Sequence, residues 1–350
     1  MSAVQDSVVK TAAAPVPARK AMTLGAVATL AVFAALVVVP LFVKNFIIFQ
    51  MTMWLIYGIA ILALNILTGG SGQFSLGQSA FYAVGAYTAG IMMELMGVNY
   101  ALTLPAAGII CFIFGFLFGL PALRLSGVYL ALATFALAVA MPQLLKLGVF
   151  EHWTGGVQGL VVTKPNPPFD IPVPKLTDAG VTIGKMSQDM YLYYFTLVVS
   201  TVIYILAVNL LRSRTGRALM AIRDNQIAAA AMGIDLPLYK TLAFGVTAGF
   251  TGIAGALGAI VVQFVAPDSF TIQLAIAIFV GMVVGGVGWL PGSLVGSAFI
   301  VFVPNIAESI SKGLSGAVFG VILFAVIFLV PHGARQVAYY LEHAVKKLKS

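Results

Sequence analysis

A chain of 350 residues that is 61% hydrophobic and only 9% charged is not a soluble domain, in which about a quarter of residues carry charge. With a mean hydropathy of +1.03 it reads as a polytopic membrane protein. Its net charge of +8 does not signal nucleic-acid binding, because no basic stripe is interleaved with exposed aromatics and the cations gather at the ends of apolar runs. Cys111 is the single cysteine, which excludes an internal disulfide, and His152, His332 and His343 are far apart, so no metal site is assigned.

Residues 1–21 form a polar N-terminal tail carrying Lys10, Arg19 and Lys20. The run 22–43 has about the 20 residues a spanning helix needs. It starts too far along the chain and lacks a small-residue cleavage site, so it reads as a retained first span. The second run is 46–67. Gly69, Gly70 and Gly72 break the pattern before the third, 74–96. In that run Ser75, Gln78, Ser79 and Tyr82 fall at i, i+3, i+4 and i+7, which puts all four on one face of a helix. A polar stripe on a spanning helix avoids lipid. It either bonds to a neighbouring helix or lines a path for a polar solute, and the two readings are not exclusive.

Runs 102–120 and 128–147 follow, then a polar excursion over 148–189. Its KPNPPFDIPVPK stretch blocks regular helix and favours extended, polyproline-like chain. It reads either as a solvated connector or as a docking surface for an external partner. The sixth run is 190–211. After it comes a basic island over 212–240, in which Arg212, Arg214, Arg217, Arg223 and Lys240 face only Asp224 and Asp235. Charges of this kind do not sit in hydrocarbon. Alanines over 225–232 give the island a short helical core that Gly233 can end, and Pro237 can start the next helix.

The remaining runs are 242–264, 272–287, 291–310 and 316–330, and a basic tail covers 332–350. Gly245, Gly249, Gly252, Gly255 and Gly258 recur through the seventh. Gly281 and Gly285 are four apart, as are Gly288, Gly292 and Gly296. Small residues at this spacing let membrane helices approach closely. The expectation is an all-α polytopic membrane protein with about ten transmembrane helices over 22–331, at about 20 residues each. Both termini and the island between the sixth and seventh spans face the cytoplasm. That arrangement puts thirteen of the Lys and Arg residues inside and six outside, in keeping with the positive-inside bias.

The spans lack what a self-powered transporter needs. No predicted span has a central Asp, Glu, Lys, Arg or His; Glu94, Glu308 and Asp268 fall near ends or in a turn. This argues against proton- or sodium-coupled transport. Potassium-filter and phosphate-loop sequences are absent, and Ser71 in GGSGQ does not match a nucleophile elbow. The chain is therefore expected to be no enzyme and to bind no cofactor. Uphill transport would draw on an ATPase docked at the structured basic island. A stand-alone carrier or channel is the reading from another class, and the missing midplane charge weighs against it.

At these residues the sequence resembles a known family. SRTGRALMAIRDNQIAAAAMGI followed by YKTLAF is similar to the cytoplasmic coupling segment of permease subunits of branched-chain amino acid ABC importers of the LivM type. LTGGSGQFSLGQSAFYAVGAYTAG and GMVVGGVGWLPGSLVGSAFIV resemble the family's segments after the second helix and near its end. The resemblance implies a multi-pass protein of the bacterial inner membrane whose 148–189 loop is periplasmic and whose 212–240 segment is the coupling segment. It implies as partners a homologous second permease, two ATP-binding subunits that use ATP and Mg, and a periplasmic solute-binding protein. The substrate would be leucine, isoleucine, valine or a related amino acid, with urea or a short-chain amide as the alternative inside the class. Many ABC importers place a Glu-Ala-Ala motif here with a glycine four residues on. Ala228, Ala229 and Gly233 fit that pattern, while Ile227 stands where the glutamate would. Docking is then expected to use Ala228, Ala229 and Gly233 together with Arg217, Arg223 and Asp224.

Overall fold

Backbone groups in hydrocarbon must bond within their own segment, so apolar runs of this length fold as helices. The computed structural model describes residues 36–122, 125, 127–168, 172–177, 180–310, 315–329, 333, 334 and 336. The chain divides into two units. The larger carries α1 (Asn45–Asn65), α2 (Gln78–Glu94), α3 (Tyr100–Ala122), α4 (Val128–Leu145), α5 (Gln188–Arg212), α6 (Arg214–Asp224), α7 (Gln226–Ala231), α8 (Leu236–Val262), α9 (Ile272–Gly285), α10 (Gly292–Ile310) and α11 (Ser315–Leu329). Six helices among the described residues are long and apolar enough to cross a membrane, and α10 is a shorter apolar helix. The protein is thus helical and polytopic. The expected first span lies outside the described residues except for 36–43, and Arg124, His332 and the basic tail beyond 336 lie outside them too.

The larger unit is built on α8, which packs against α3, α2 and α1. Its glycines divide between two neighbours. Gly245, Gly249 and Gly252 meet α3 at Phe112, Gly108 and Cys111, while Gly255 and Gly258 meet Tyr82 of α2. A methyl group built on Gly85 would stand 2.5 Å from the Gly252 Cα, closer than any side chain tolerates. α9 and α10 cross in the same way, Gly281 against Gly296 and Gly285 against Gly292. Lipid provides no hydrophobic drive between helices, so such close backbone approach supplies the dispersion contact that holds them. Gly288 departs from the expected four-residue row. It lies in the α9–α10 turn with φ +79° and packs on Gly69.

Two breaks differ from the sequence reading. The glycines after α1 do not stop it at once: the helix continues as a π turn over Ile66–Gly70 and ends at Gly72, whose φ is +71°. α2 begins only at Gln78, with Gly77 as its N-cap, so the third apolar run is helical over a shorter stretch than 74–96.

The excursion 148–189 is ordered where it is described. Glu151–Thr154 forms one helical turn, and β1 (Leu160–Val161) pairs antiparallel with β4 (Phe264–Val265) at the end of α8. Lys164 bonds Asp189 at 2.5 Å. In the smaller unit, β2 (Pro172–Thr177) and β3 (Gly180–Lys185) form a hairpin running from Pro172↔Lys185 to Thr177↔Gly180, beside the short 3-10 turn Val39–Phe42. Extended chain was expected here and strand pairing was not, so among the described residues the fold is all-α apart from these short ribbons. A two-stranded ribbon tolerates proline because each strand has an unpaired side, and residues two apart such as Pro172 and Pro174 place their missing N–H groups on the same side.

Candidate functional site

The basic island folds as consecutive capped helices. Ser213 leaves the helical conformation after α5, and its hydroxyl accepts the Gly216 N–H at 3.3 Å. α6 is amphipathic: Gly216, Ala218, Leu219 and Ile222 are buried, while Arg214, Arg217, Arg223 and Asp224 are exposed. Asn225 then interrupts the chain with φ −159°, ψ 110°, and its side-chain oxygen accepts from Ile227 N and Ala228 N at 3.0 Å each. α7 follows. It ends in a Schellman pair, Ile234 N to Ala229 O and Gly233 N to Ala230 O, with Gly233 at φ +80°. Asp235 caps α8 by accepting Leu238 N. The helical core expected over 225–232 is α7, capped by Asn225 and Met232; the preceding helix α6 was not expected.

The expected docking residues separate into groups. Ala228, Gly233, Arg217 and Asp224 are exposed, but Ala229 is 3% exposed and packs inward. Arg217 bonds the Arg212 carbonyl at 3.0 Å. Arg223 turns back toward the helices: its Nη1 donates to Gly69 O at 2.8 Å, and its Nε and Nη2 donate to Asp224 at 3.0 and 2.8 Å. The sequence reading passed over Ile227 and Met232 as contact residues. They are 84% and 83% exposed, large apolar side chains in the most polar part of the chain. The signal was present, since Ile227 occupies the position where a glutamate would serve.

Ser75, Gln78, Ser79 and Tyr82 are all buried within the protein. Ser75 does not share the helical face, because it precedes the first turn of α2 and accepts the Gly77 N–H at 3.2 Å. Gln78 reaches α8, where its Oε1 accepts the Thr251 hydroxyl at 2.6 Å. The Gln78 amide nitrogen and the Ser79 hydroxyl make no hydrogen bond among the described residues. Tyr82 stacks on Tyr57 of α1 at 6.4 Å and leans on Phe270. Thr134 of α4 holds the connector 71–77 by accepting Leu76 N at 2.9 Å. Thr251 and Thr134 had no signal of their own, since threonine is ordinary in apolar helices and both act on residues far away in sequence.

Charge is sorted between the ends of the larger unit. Arg212, Arg214, Arg217, Arg223 and Lys240 sit with Asp224 and Asp235 at the end where α5 meets α8. At the other end, Lys146 bonds Asp268 at 2.5 Å, Glu94 accepts Thr163 N at 2.7 Å, and Lys164 pairs with Asp189. The interior between them carries uncharged amides and hydroxyls.

Among the described residues, a helical bundle with charge at its ends, glycine-lined helix contacts and a capped helical elbow on its basic end defines a multi-pass membrane protein. The chain belongs to the family described as branched-chain amino acid transport system / permease component, which matches residues 46–330. It is 34% identical over 247 residues to the LivM permease protein of the high-affinity branched-chain amino acid transport system of Salmonella typhimurium, covering 68% of this chain and 58% of that protein. It is 32% identical over 257 residues to the Escherichia coli LivM protein, with the same coverage of each. A probable branched-chain amino acid transport permease protein LivH from Methanocaldococcus jannaschii is 24% identical over 289 residues, covering 78% of this chain and 84% of that one. The chain thus spans less than two thirds of the LivM relatives it matches. No solved structure is significantly similar to it.

Proposed function

We propose that this chain is the membrane permease subunit of an ABC importer for leucine, isoleucine, valine or related amino acids. It works with a second, homologous permease, two ATP-binding subunits that hydrolyse ATP with Mg, and a periplasmic solute-binding protein. The observation that carries this reading is the exposed Ile227 and Met232 pair on a helix fixed by caps at both ends and preceded by the arginine-bearing α6. Such a knob is costly to leave in water and suited to a hydrophobic cleft on a soluble partner. Membership of a transport-system permease family agrees with it. In this reading about ten spans occupy 22–331, at about 20 residues each. Residues 1–21, 212–240 and 332–350 lie in the cytoplasm, and 148–189 lies in the periplasm of a bacterial inner membrane. Nucleotide-driven closure of the ATP-binding subunits pushes on α6 and α7 and rearranges the bundle.

Two measurements test it. Cysteines placed at Ala228 and at Gly148 are treated with a membrane-impermeant maleimide in spheroplasts; only Gly148→Cys should react, and labelling of Ala228→Cys from outside refutes the orientation. The buried Cys111 gives little background. The complex, assembled with its ATP-binding and binding-protein subunits in proteoliposomes, should then take up labelled leucine in preference to urea. Failure to hydrolyse ATP or to accumulate any amino acid refutes the function.

A further inference from the structure

Asn65 ends α1 at 1% exposure and spends its whole side chain on a distant turn. Its Nδ2 donates to Trp289 O at 2.9 Å and Gly286 O at 3.3 Å, and its Oδ1 accepts Gly288 N at 2.6 Å. That turn joins α9 to α10 and needs glycine at Gly286 (φ +101°) and Gly288 (φ +79°). One helical turn further on, a methyl group built on Gly69 would stand 2.5 Å from Gly288 N and 2.9 Å from the Asn65 Oδ1. The backbones touch. The Gly69 carbonyl is the group that Arg223 of α6 grips. The Arg223 side chain also covers Gly72, where a methyl group would stand 3.1 Å from its Cγ. Between Asn65 and Gly72 lies the π turn Ile66–Gly70.

These contacts form one junction, with Arg223 on one side of the π turn and the 286–289 turn on the other. A π turn is poorly stable alone and persists where tertiary contacts hold it. It also has a discrete alternative. Relaxing to α-helical bonding shifts the register by one residue, which rotates one flank by about 100° relative to the other. Such a rotation takes Asn65 away from the turn it clasps. We propose that Asn65 and Arg223 are positioning residues that transmit movement of the coupling segment, through the π turn Ile66–Gly70, into the α9–α10 turn. This rests on the importer reading above. Arg223 then acts inside the permease, and the outward docking contact belongs to Ile227 and Met232.

The test uses the complete transporter in proteoliposomes, with uptake and ATP hydrolysis measured together. Arg223→Gln and Asn65→Ala should each lower solute taken up per ATP hydrolysed by about tenfold, within the range for residues that modulate coupling between sites. Arg223→Lys, which can still donate to Gly69 O, should keep it within about threefold by the same scale. The double variant should be no worse than the worse single one, because both break a single linkage. Multiplying losses, or a lysine variant as poor as the glutamine one, overturn the proposal. A second readout covers a variant that assembles poorly: spin labels at Ala228→Cys and Val287→Cys, each measured against a label at Gly148→Cys. In the wild-type background ATP should move both reporters. With Arg223→Gln or Asn65→Asp the 228 reporter should still move while the 287 reporter stays still, and movement of both refutes the linkage. A wild-type complex without ATP-driven uptake refutes the importer reading instead.

Discussion

Replacing Ile227 by Asp separates a docking knob from a folding element. Ile227 is 84% exposed and Met232 83%, so neither contributes much to the permease's own packing, and exposed substitutions usually change stability by less than about 0.5 kcal/mol. If the side chain is buried in a partner's cleft, its transfer from water contributes about 1.5–3 kcal/mol. At about 1.4 kcal/mol per decade of affinity, losing that term weakens the complex about 10- to 100-fold, and desolvating the new carboxylate weakens it further. Ala229, two residues further along α7, is 3% exposed and packs inward. Ala229→Asp buries an unpaired charge in the permease and should instead destabilise the elbow by several kcal/mol. The assay is titration of detergent-purified permease with its ATP-binding subunits, beside thermal unfolding of each variant alone. Ile227→Asp should lose affinity at unchanged thermal stability, and Ala229→Asp should lose both. Unchanged affinity for Ile227→Asp, or an equal loss of stability in the two variants, refutes the division of roles.

Further outcomes follow from packing and capping. Gly85→Val places two methyl groups against the Gly252 backbone; overpacking of this kind costs about 1–3 kcal/mol or more, so thermal stability in detergent should fall, while Gly148→Ala, which meets no atom within 4 Å, should be neutral. Thr251→Val removes the hydroxyl that bonds Gln78 and should cost about 0.6 kcal/mol, at most about 1.7; adding Gln78→Leu should recover part of the loss in a double-mutant cycle, because no buried amide is then left unpaired. Asn225→Ala removes both cap bonds at the start of α7 and should cost the segment about 0.5–2 kcal/mol, read as faster hydrogen exchange of the α7 amides.

Local chemistry was legible and long-range pairing was not. The stop at Gly233 was legible because it acts on residues within a few positions of itself; the caps at Ser213, Asn225 and Asp235 are as local but were not singled out. The apolar runs announced their helices because a membrane leaves the backbone no alternative. The Ser75 assignment failed for a definite reason. Spacing of i, i+3, i+4, i+7 describes a face only if the helix has already begun, and the chain is not yet helical at 74–76, with Gly77 as the cap of α2. The β1–β4 pair was hidden because Leu160 meets Val265, far along the chain. Asn65 was hidden for a similar reason: one amide at the end of an apolar run has no visible meaning until the 286–289 turn is folded against it.

The glycine contacts also decide where this bundle can give. α2, α3 and α8 are locked by backbone-to-backbone approach, Gly85 on Gly252 and Gly249 on the Gly108 carbonyl. α1, α9 and α10 are locked likewise: Gly281 faces Ile61 and Gly296, Gly58 faces Leu294, and Trp54 bonds the Leu294 carbonyl at 2.7 Å. Sliding along either set drives backbone atoms together, so each behaves as a block. Between the blocks, α8 packs against α1, and Tyr57 stacks on Tyr82. α5 packs on α1 and so travels with the second block, whereas α8 is the centre of the first. The elbow α6–α7 is the covalent link from α5 to α8, and Arg223 adds a bond from it to the end of α1. In the proposed importer, a push on Ile227 and Met232 therefore falls on the link between these two sets of helices.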